Sequence, residues 1–148
     1  MNLLLKKLNF KEQNEIAILN APEEFLEQMN NFSTYLKVIN NLPIEKINIV
    51  LAFVKEQKQI NNLAPLINRI LENDALFWWA YPKGTSKKHT CDFNRDSGWQ
   101  IMGDLGYEPV RMVSIDNDWT AFRFRKAENI KILTRSLEWR MSEKGKQK

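Results

Sequence analysis

The chain has 148 residues, 43% of them hydrophobic and 27% charged, with a formal net charge of +4 and a single cysteine, Cys91. That length and apolar content suit one compact domain with a full core, and they exclude a disulfide scaffold or a Cys/His zinc module. No run approaches the roughly 20 apolar residues that cross a bilayer, and the opening MNLLLKKLNF sets its basic pair behind three leucines, the reverse of a secretory signal, so a cytoplasmic protein away from membranes is expected.

In chain order, NEIAILNAP (14–22) reads as a short buried strand that stops at Pro22, where a helix begins and carries Phe25, Leu26 and Met29 on one side. A second strand is expected at 35–39. INIVLAFV (47–54) is an apolar run rich in Ile and Val, as a central strand covered on both faces would be. Ile60, Leu63, Ala64, Ile67, Ile70 and Leu71 then recur at helical spacing, with Pro65 marking a kink or the true start. ALFWWAYP (75–82) is a strong strand whose Trp78 and Trp79 face opposite sides. A helix is expected over 94–106, capped by Asn94 or Asp96 and stopped by Gly106. EPVRMVSI and WTAFRFRKA flank a three-residue DND turn as an antiparallel hairpin. From Glu128 onward, Ile130, Leu133 and Leu137 predict a short packing helix, and residues 139–148 a basic, frayed tail.

Strands alternating with helices predict a single Rossmann-like α/β domain over 1–138, three-layered, its sheet mostly parallel with a C-terminal antiparallel hairpin. In such sheets ligands sit at the carboxyl ends of strands. The first such place, NAPEEF, lacks the glycines that let backbone approach a dinucleotide or S-adenosylmethionine; Pro22 donates no hydrogen bond, and Glu23 and Glu24 repel an anion while suiting a helix start.

The second is YPKGTSKKHTCDFNRD (81–96). Residues 76–148 carry 14 Lys/Arg against 9 Asp/Glu, a net +5 beside −1 for residues 1–75, so a negatively charged partner meets this half first. In the stretch itself Gly84 permits a bend, Lys83, Lys87, Lys88 and Arg95 supply charge, and Thr85, Ser86 and Thr90 supply hydroxyls ahead of a helix start expected near Asp96. The candidate ligand-binding residues are Lys83, Thr85, Ser86, Lys87, Lys88 and Arg95; the bland alternative is a solvated connector. His89, Cys91 and Asp92 suggest a nucleophile, a base and an orienting acid, but nothing in their spacing fixes them within reach, and a lone cysteine usually packs as a small hydrophobe. No catalytic residue, metal or cofactor is expected. Arg111, Arg123 and Arg125 alternate with Trp119, Phe122 and Phe124, a pattern that suits single-stranded nucleic acid or, more simply, a hairpin with aromatics inward and arginines on water or on Asp116 and Asp118.

With LLKKLNFKEQNEIAILNAPEEF, ALFWWAYPKGTSK and DNDWTAFRFR in view, the chain resembles a family of small bacterial proteins of unknown function over most of residues 3–126. The resemblance implies a reduced Rossmann-like, methyltransferase-like fold closed by the hairpin, and no particular reaction. It picks out Asn20, Ala21, Pro22, Trp79, Pro82, Lys83, Asp116, Asp118 and Trp119; most have an evident structural task, and Lys83 does not. The expected function is therefore binding of an anionic small molecule or partner at the loop after strand 75–82, without catalysis. The alternatives are a methyltransferase-like enzyme with a degenerate S-adenosylmethionine site and a nucleic-acid-binding module.

Overall fold

The computed structural model of the chain describes residues 1–43, 45–130 and 140–146. Helix α1 (Leu3–Lys7) starts the chain, with Asn2 as its cap accepting from the Leu5 N–H at 3.0 Å. Strand β1 (Glu15–Leu19) leads through a 3₁₀ turn (Glu23–Phe25) into α2 (Leu26–Phe32) and the short β2 (Lys37–Ile39). Strand β3 (Ile47–Phe53), α3 (Gln57–Ile70) and β4 (Leu71–Pro82) follow, then α4 (Gln100–Asp104), the hairpin β5 (Tyr107–Ser114) and β6 (Trp119–Lys126), and α5 (Glu143–Lys146).

The six strands form one sheet in the order β2-β1-β3-β4-β6-β5. The first four run parallel and the last two join antiparallel, β6 lying between β4 and β5. Two cores flank the sheet. On one side Leu4, Leu5, Leu8, Phe25 and Phe32 of α1, α2 and their flanks cover Ile16, Ile18 and Trp78; on the other Ile60, Ala64 and Ile67 of α3 and Trp99 and Met102 near α4 cover Ala17, Phe77 and Trp79. This is the expected three-layer, Rossmann-like arrangement, and the two adjacent tryptophans point into opposite layers because strand side chains alternate.

Several elements differ from their sequence reading. Helix α1 has too few residues for a clear period; what seats it is Trp78, whose Nε1 donates to the Leu8 carbonyl at 3.1 Å and so satisfies a helix-end acceptor. Helix α3 passes through Pro65 unbroken; the carbonyl that proline orphans belongs to Asn61, on the exposed side where solvent is available to it. Leu71, read as helical, opens β4 opposite Ile47. Regular pairing resumes only at Leu76 opposite Ile49, so residues 72–75 bow out, with Asp74 at φ 57°. The helix expected over 94–106 shrinks to Gln100–Asp104. Neither Asn94 nor Asp96 caps it, since Asn94 Oδ1 instead accepts from the Asp96 N–H and the Ser97 hydroxyl in a turn of its own. Gly106 does end that helix, at φ 91°. The hairpin turn has four residues, Ile115–Asp118, closed by Asp116 Oδ1 accepting from the backbone of Asp118 and Trp119.

Leu133 and Leu137 lie outside the described residues. In place of the frayed end expected beyond 139, the segment from Arg140 to Lys146 docks on the sheet. Fully buried Glu108 on β5 accepts from the backbone N–H of Met141 (2.7 Å) and Ser142 (2.5 Å) and from the Ser142 hydroxyl (2.7 Å).

Candidate functional site

The topology locates the crevice. From β1 the chain crosses over α2 to β2 on one side; from β3 it crosses over α3 to β4 on the other. The strand order therefore reverses between β1 and β3, and a ligand crevice of this sheet type lies outside their carboxyl ends, one strand away from the end of β4. Its lips are Asn20–Glu24 after β1 and Val54–Gln57 after β3.

Residues 83–96 run as a strap from the end of β4 back across both lips. His89 Nε2 meets Glu24 Oε1 at 2.5 Å, and the Glu24 carboxylate also accepts from Trp119 Nε1 at 3.0 Å. The His89 and Trp119 rings lie 4.9 Å apart, and Trp119 packs against Phe53 at the end of β3. Three residues on, Asp92 Oδ1 accepts from the Gln57 N–H at 2.8 Å, and its own N–H donates to the Lys55 carbonyl at 3.2 Å. One strap thus bonds the segment after β1 through His89 and the start of α3 through Asp92, filling the place where other sheets of this kind admit a ligand. The hydrogen bonds from Trp119 and then His89 hold the Glu24 carboxyl below its ordinary value.

Outside the strap, between it and the hairpin, lies a groove of about 770 Å³. It collects four of the six candidate residues, Lys83, Thr85, Ser86 and Arg95, together with Thr90; Lys87 and Lys88 are exposed beside it and do not line it. Two of the four are structurally committed. Lys83, which has no evident task in the sequence, donates from Nζ to Ser114 Oγ at 2.6 Å and from its backbone to the Asp118 carbonyl at 2.8 Å, clamping the hairpin turn to β4. Ser86 donates to Asp118 Oδ1 at 2.8 Å and accepts from the His89 N–H. Thr85 and Thr90 make no hydrogen bond among the described residues, and Arg95, 66% exposed, has only a 3.5 Å contact to Asp96. The long helix start expected at the far end of the groove is replaced by the Asn94–Ser97 turn, so no helix dipole assists there.

Nothing in the geometry supports the nucleophile reading of His89 and Cys91. No hydrogen bond joins the two side chains among the described residues, His89 Nε2 is engaged by Glu24, and burial pushes the Cys91 thiol up, away from the reactive thiolate. Among the described residues no three His, Cys, Asp or Glu side chains gather as a metal site would require, and no helix is long and apolar enough to cross a membrane. Trp119, Phe122 and Phe124 are buried, which removes them as a stacking platform for bases. The arginines behave differently from expectation as well: Arg125 forms a two-pronged pair with Asp74 at 2.7 and 2.6 Å and not with Asp116 or Asp118, both of which serve the hairpin turn and the strap. Glu24 and Trp119 both figure in the sequence reading, but their pairing with each other and with His89 is not legible there. Their partners lie 65 and 95 residues apart, so no local spacing reveals them.

No protein-family model and no curated protein matches the chain significantly. Solved structures do. A SAM dependent methyltransferase from Aquifex aeolicus superposes with a TM-score of 0.54 at 13% identity, over 82% of this chain and 87% of that one. N-methyltransferase NodS from Bradyrhizobium japonicum gives 0.52 at 11% identity, over 83% and 92%. An S-adenosylmethionine-dependent methyltransferase from Clostridium acetobutylicum gives 0.50 at 6% identity, over 83% and 87%. The chain has a methyltransferase-like Rossmann fold. At such identity the likeness concerns backbone architecture and not chemistry.

Proposed function

We propose that the protein binds a small anionic molecule in the groove between the strap and the hairpin, as a binding protein without covalent catalysis. The observation that carries this is the contrast between two places: the crevice at the strand reversal is bridged by His89 and Asp92, whereas the neighbouring groove keeps Arg95, Thr85 and Thr90 available, with Lys87 and Lys88 beside it. Arg95 supplies a charged fork for a phosphate or carboxylate, the threonines supply hydroxyl donors, and Gly84, with open space around its Cα, lets the ligand approach backbone. The lone thiol of Cys91 fits a reducing compartment, the cytoplasm. Calorimetric titration with inorganic phosphate and a panel of sugar phosphates tests the reading. Replacing Lys87, Lys88 and Arg95 together by Glu is expected to weaken the best binder at least about tenfold, the loss of roughly one charged hydrogen bond. Equal affinity in that variant rejects the groove.

A methyltransferase-like enzyme is the second reading, favoured by the fold and by the position of the strand reversal. It requires the strap to leave Glu24 and the start of α3 before S-adenosylmethionine enters. If it holds, S-adenosylmethionine raises the melting temperature and changes the fluorescence of Trp119 as His89 departs. No change in either quantity at millimolar ligand removes it.

A further inference from the structure

The floor of the strap groove is made by the sheet itself, and two hydroxyls stand on it without a partner. Tyr81 at the end of β4 lies directly opposite Thr120 on β6, so their side chains leave the same face of the sheet with Cβ atoms about 5 Å apart. Both residues line the groove, and both are nine-tenths buried or more, Tyr81 being 6% and Thr120 9% exposed. Neither hydroxyl makes a hydrogen bond among the described residues, and neither oxygen is sealed: the fully buried side-chain atoms that lack a partner there are Asn9 Oδ1, Trp79 Nε1, Arg123 Nε and Asn129 Nδ2. What little exposure Tyr81 and Thr120 keep therefore includes their hydroxyls, which open on the groove. The phenol is also fixed in place, its ring packing against Phe93, Trp99 and Phe122 at centroid distances of 5.5, 5.8 and 6.3 Å. Burial pushes its pKa up to about 12, so it stays a proton donor at neutral pH.

Packing does not account for these two oxygens. Phenylalanine and valine have nearly the same shapes and would fill the same space beside the aromatic cluster, whereas a hydroxyl at this depth gives up part of its hydration and recovers it only from a partner. The surroundings restrict what that partner is. Met112, exposed on β5, adds an uncharged apolar surface to the same groove. Arg95 and Asp96 also line it and act electrostatically on the Tyr81 phenol, but both are largely exposed and stand 3.5 Å from each other at the rim. Asp96 repels a second anionic group, so one end of a ligand is charged, toward Arg95, and the rest is neutral. A neutral body that meets two groups able both to donate and to accept, beside one thioether, is a carbon frame carrying hydroxyls of its own. The groove, at about 770 Å³, is large enough for such a molecule.

Resting on the anion-binding reading above, we propose that Tyr81 and Thr120 determine the specificity of the strap groove, and that its ligand is a monosaccharide or polyol bearing one phosphate or carboxylate. The test is calorimetric titration with ribose 5-phosphate, glucose 6-phosphate and glucuronate, against propyl phosphate and inorganic phosphate at constant ionic strength. At least one of the sugar anions is expected to bind at least about tenfold more tightly than propyl phosphate, whose body is apolar. Tyr81→Phe and Thr120→Val each remove one oxygen at nearly constant volume. Each is expected to weaken the sugar anion about tenfold, the loss of one hydrogen bond, and to leave propyl phosphate unchanged. No binding of any sugar anion, or affinity no greater than that of propyl phosphate, overturns the proposal. So does a preference for the sugar anion that survives in both variants, because the two hydroxyls are then merely hydrated. Failure of the underlying reading looks different: the phosphates bind equally well when Lys87, Lys88 and Arg95 are all replaced by Glu. Should either hydroxyl variant fold poorly, the comparison of sugar anion with propyl phosphate on the parent protein decides by itself.

Discussion

Glu24 shows how one side chain changes meaning between sequence and structure. Beside Glu23 it reads as an acid favouring a helix start, and it does lie in the 3₁₀ turn that Glu23 opens. In three dimensions its carboxylate is where the strap, the hairpin and the segment after β1 meet, through His89 and Trp119. Because those bonds depress its pKa below the ordinary 4.5, the stability it adds is present above that pH and is lost as pH falls through the depressed value. The carboxylate is about one-third exposed, which limits the effect to about 1 kcal/mol or less. Melting curves of the parent and Glu24→Gln are therefore expected to differ at neutral pH and to converge below pH 4.5; a constant gap across that range would contradict the assignment. Gly106 makes a different residue-scale prediction. An added methyl would have its nearest neighbours at 3.9 Å, so crowding is not the obstacle, but φ 91° is unfavourable for any residue with a Cβ. Gly106→Ala is expected to lower the unfolding free energy by about 1–2 kcal/mol in a denaturant titration.

Among the elements, the strap and the docked segment from Arg140 depend on contacts that sequence periodicity does not carry. Strands β1, β3 and the regular part of β4 are legible as apolar runs, and the hairpin as alternation around DND, because burial alone dictates those patterns. The strap is legible only as composition. Its course is set by Asp92 on Gln57, 35 residues apart, and by His89 on Glu24, and neither pairing leaves a local trace. The same reasoning explains why Lys83 lacks a visible role until Ser114 is beside it. Asp92→Ala is expected to raise amide hydrogen exchange at Gln57 and along the strap, at a cost of about 0.5–2 kcal/mol as for the loss of a helix cap. Exchange unchanged at Gln57 would mean that the strap is held by His89 alone. Glu108→Leu strips two backbone amides and a hydroxyl of their common acceptor while keeping an apolar group in the core. The expected loss is about 1–3 kcal/mol per group left buried without a partner, with exchange rising first at Met141 and Ser142. Exchange confined to other segments would show that the docked segment is anchored elsewhere.

For the molecule as a whole, the architecture places a polar groove, offering arginine, at the carboxyl end of β4, while the crevice usual for the fold is bridged from within. The sequence already shows the lack of glycines after β1; in the structure that position holds Pro22 and Glu24, with the chain's own His89 bonded to the Glu24 carboxylate. A basic second half makes the strap groove more attractive to anions at low ionic strength. Raising salt is expected to weaken any phosphate binding in the strap groove, and a binder indifferent to salt would point to apolar recognition instead.

The position of β6 has a consequence for synthesis. It is made after β5 yet lies inside it, filling the edge of β4 from Phe77 to Pro82. A nascent chain that has reached only Ser114 already carries the four parallel strands, but its growing side ends in an open row of backbone groups flanked by Trp78 and Trp79, and the finished β5 has nothing to pair with. Such an edge recruits whatever strand is nearest. The edge of β4 therefore stays open from the emergence of Pro82 from the ribosome until that of Lys126, and a pause between the two is expected to favour aggregation over folding.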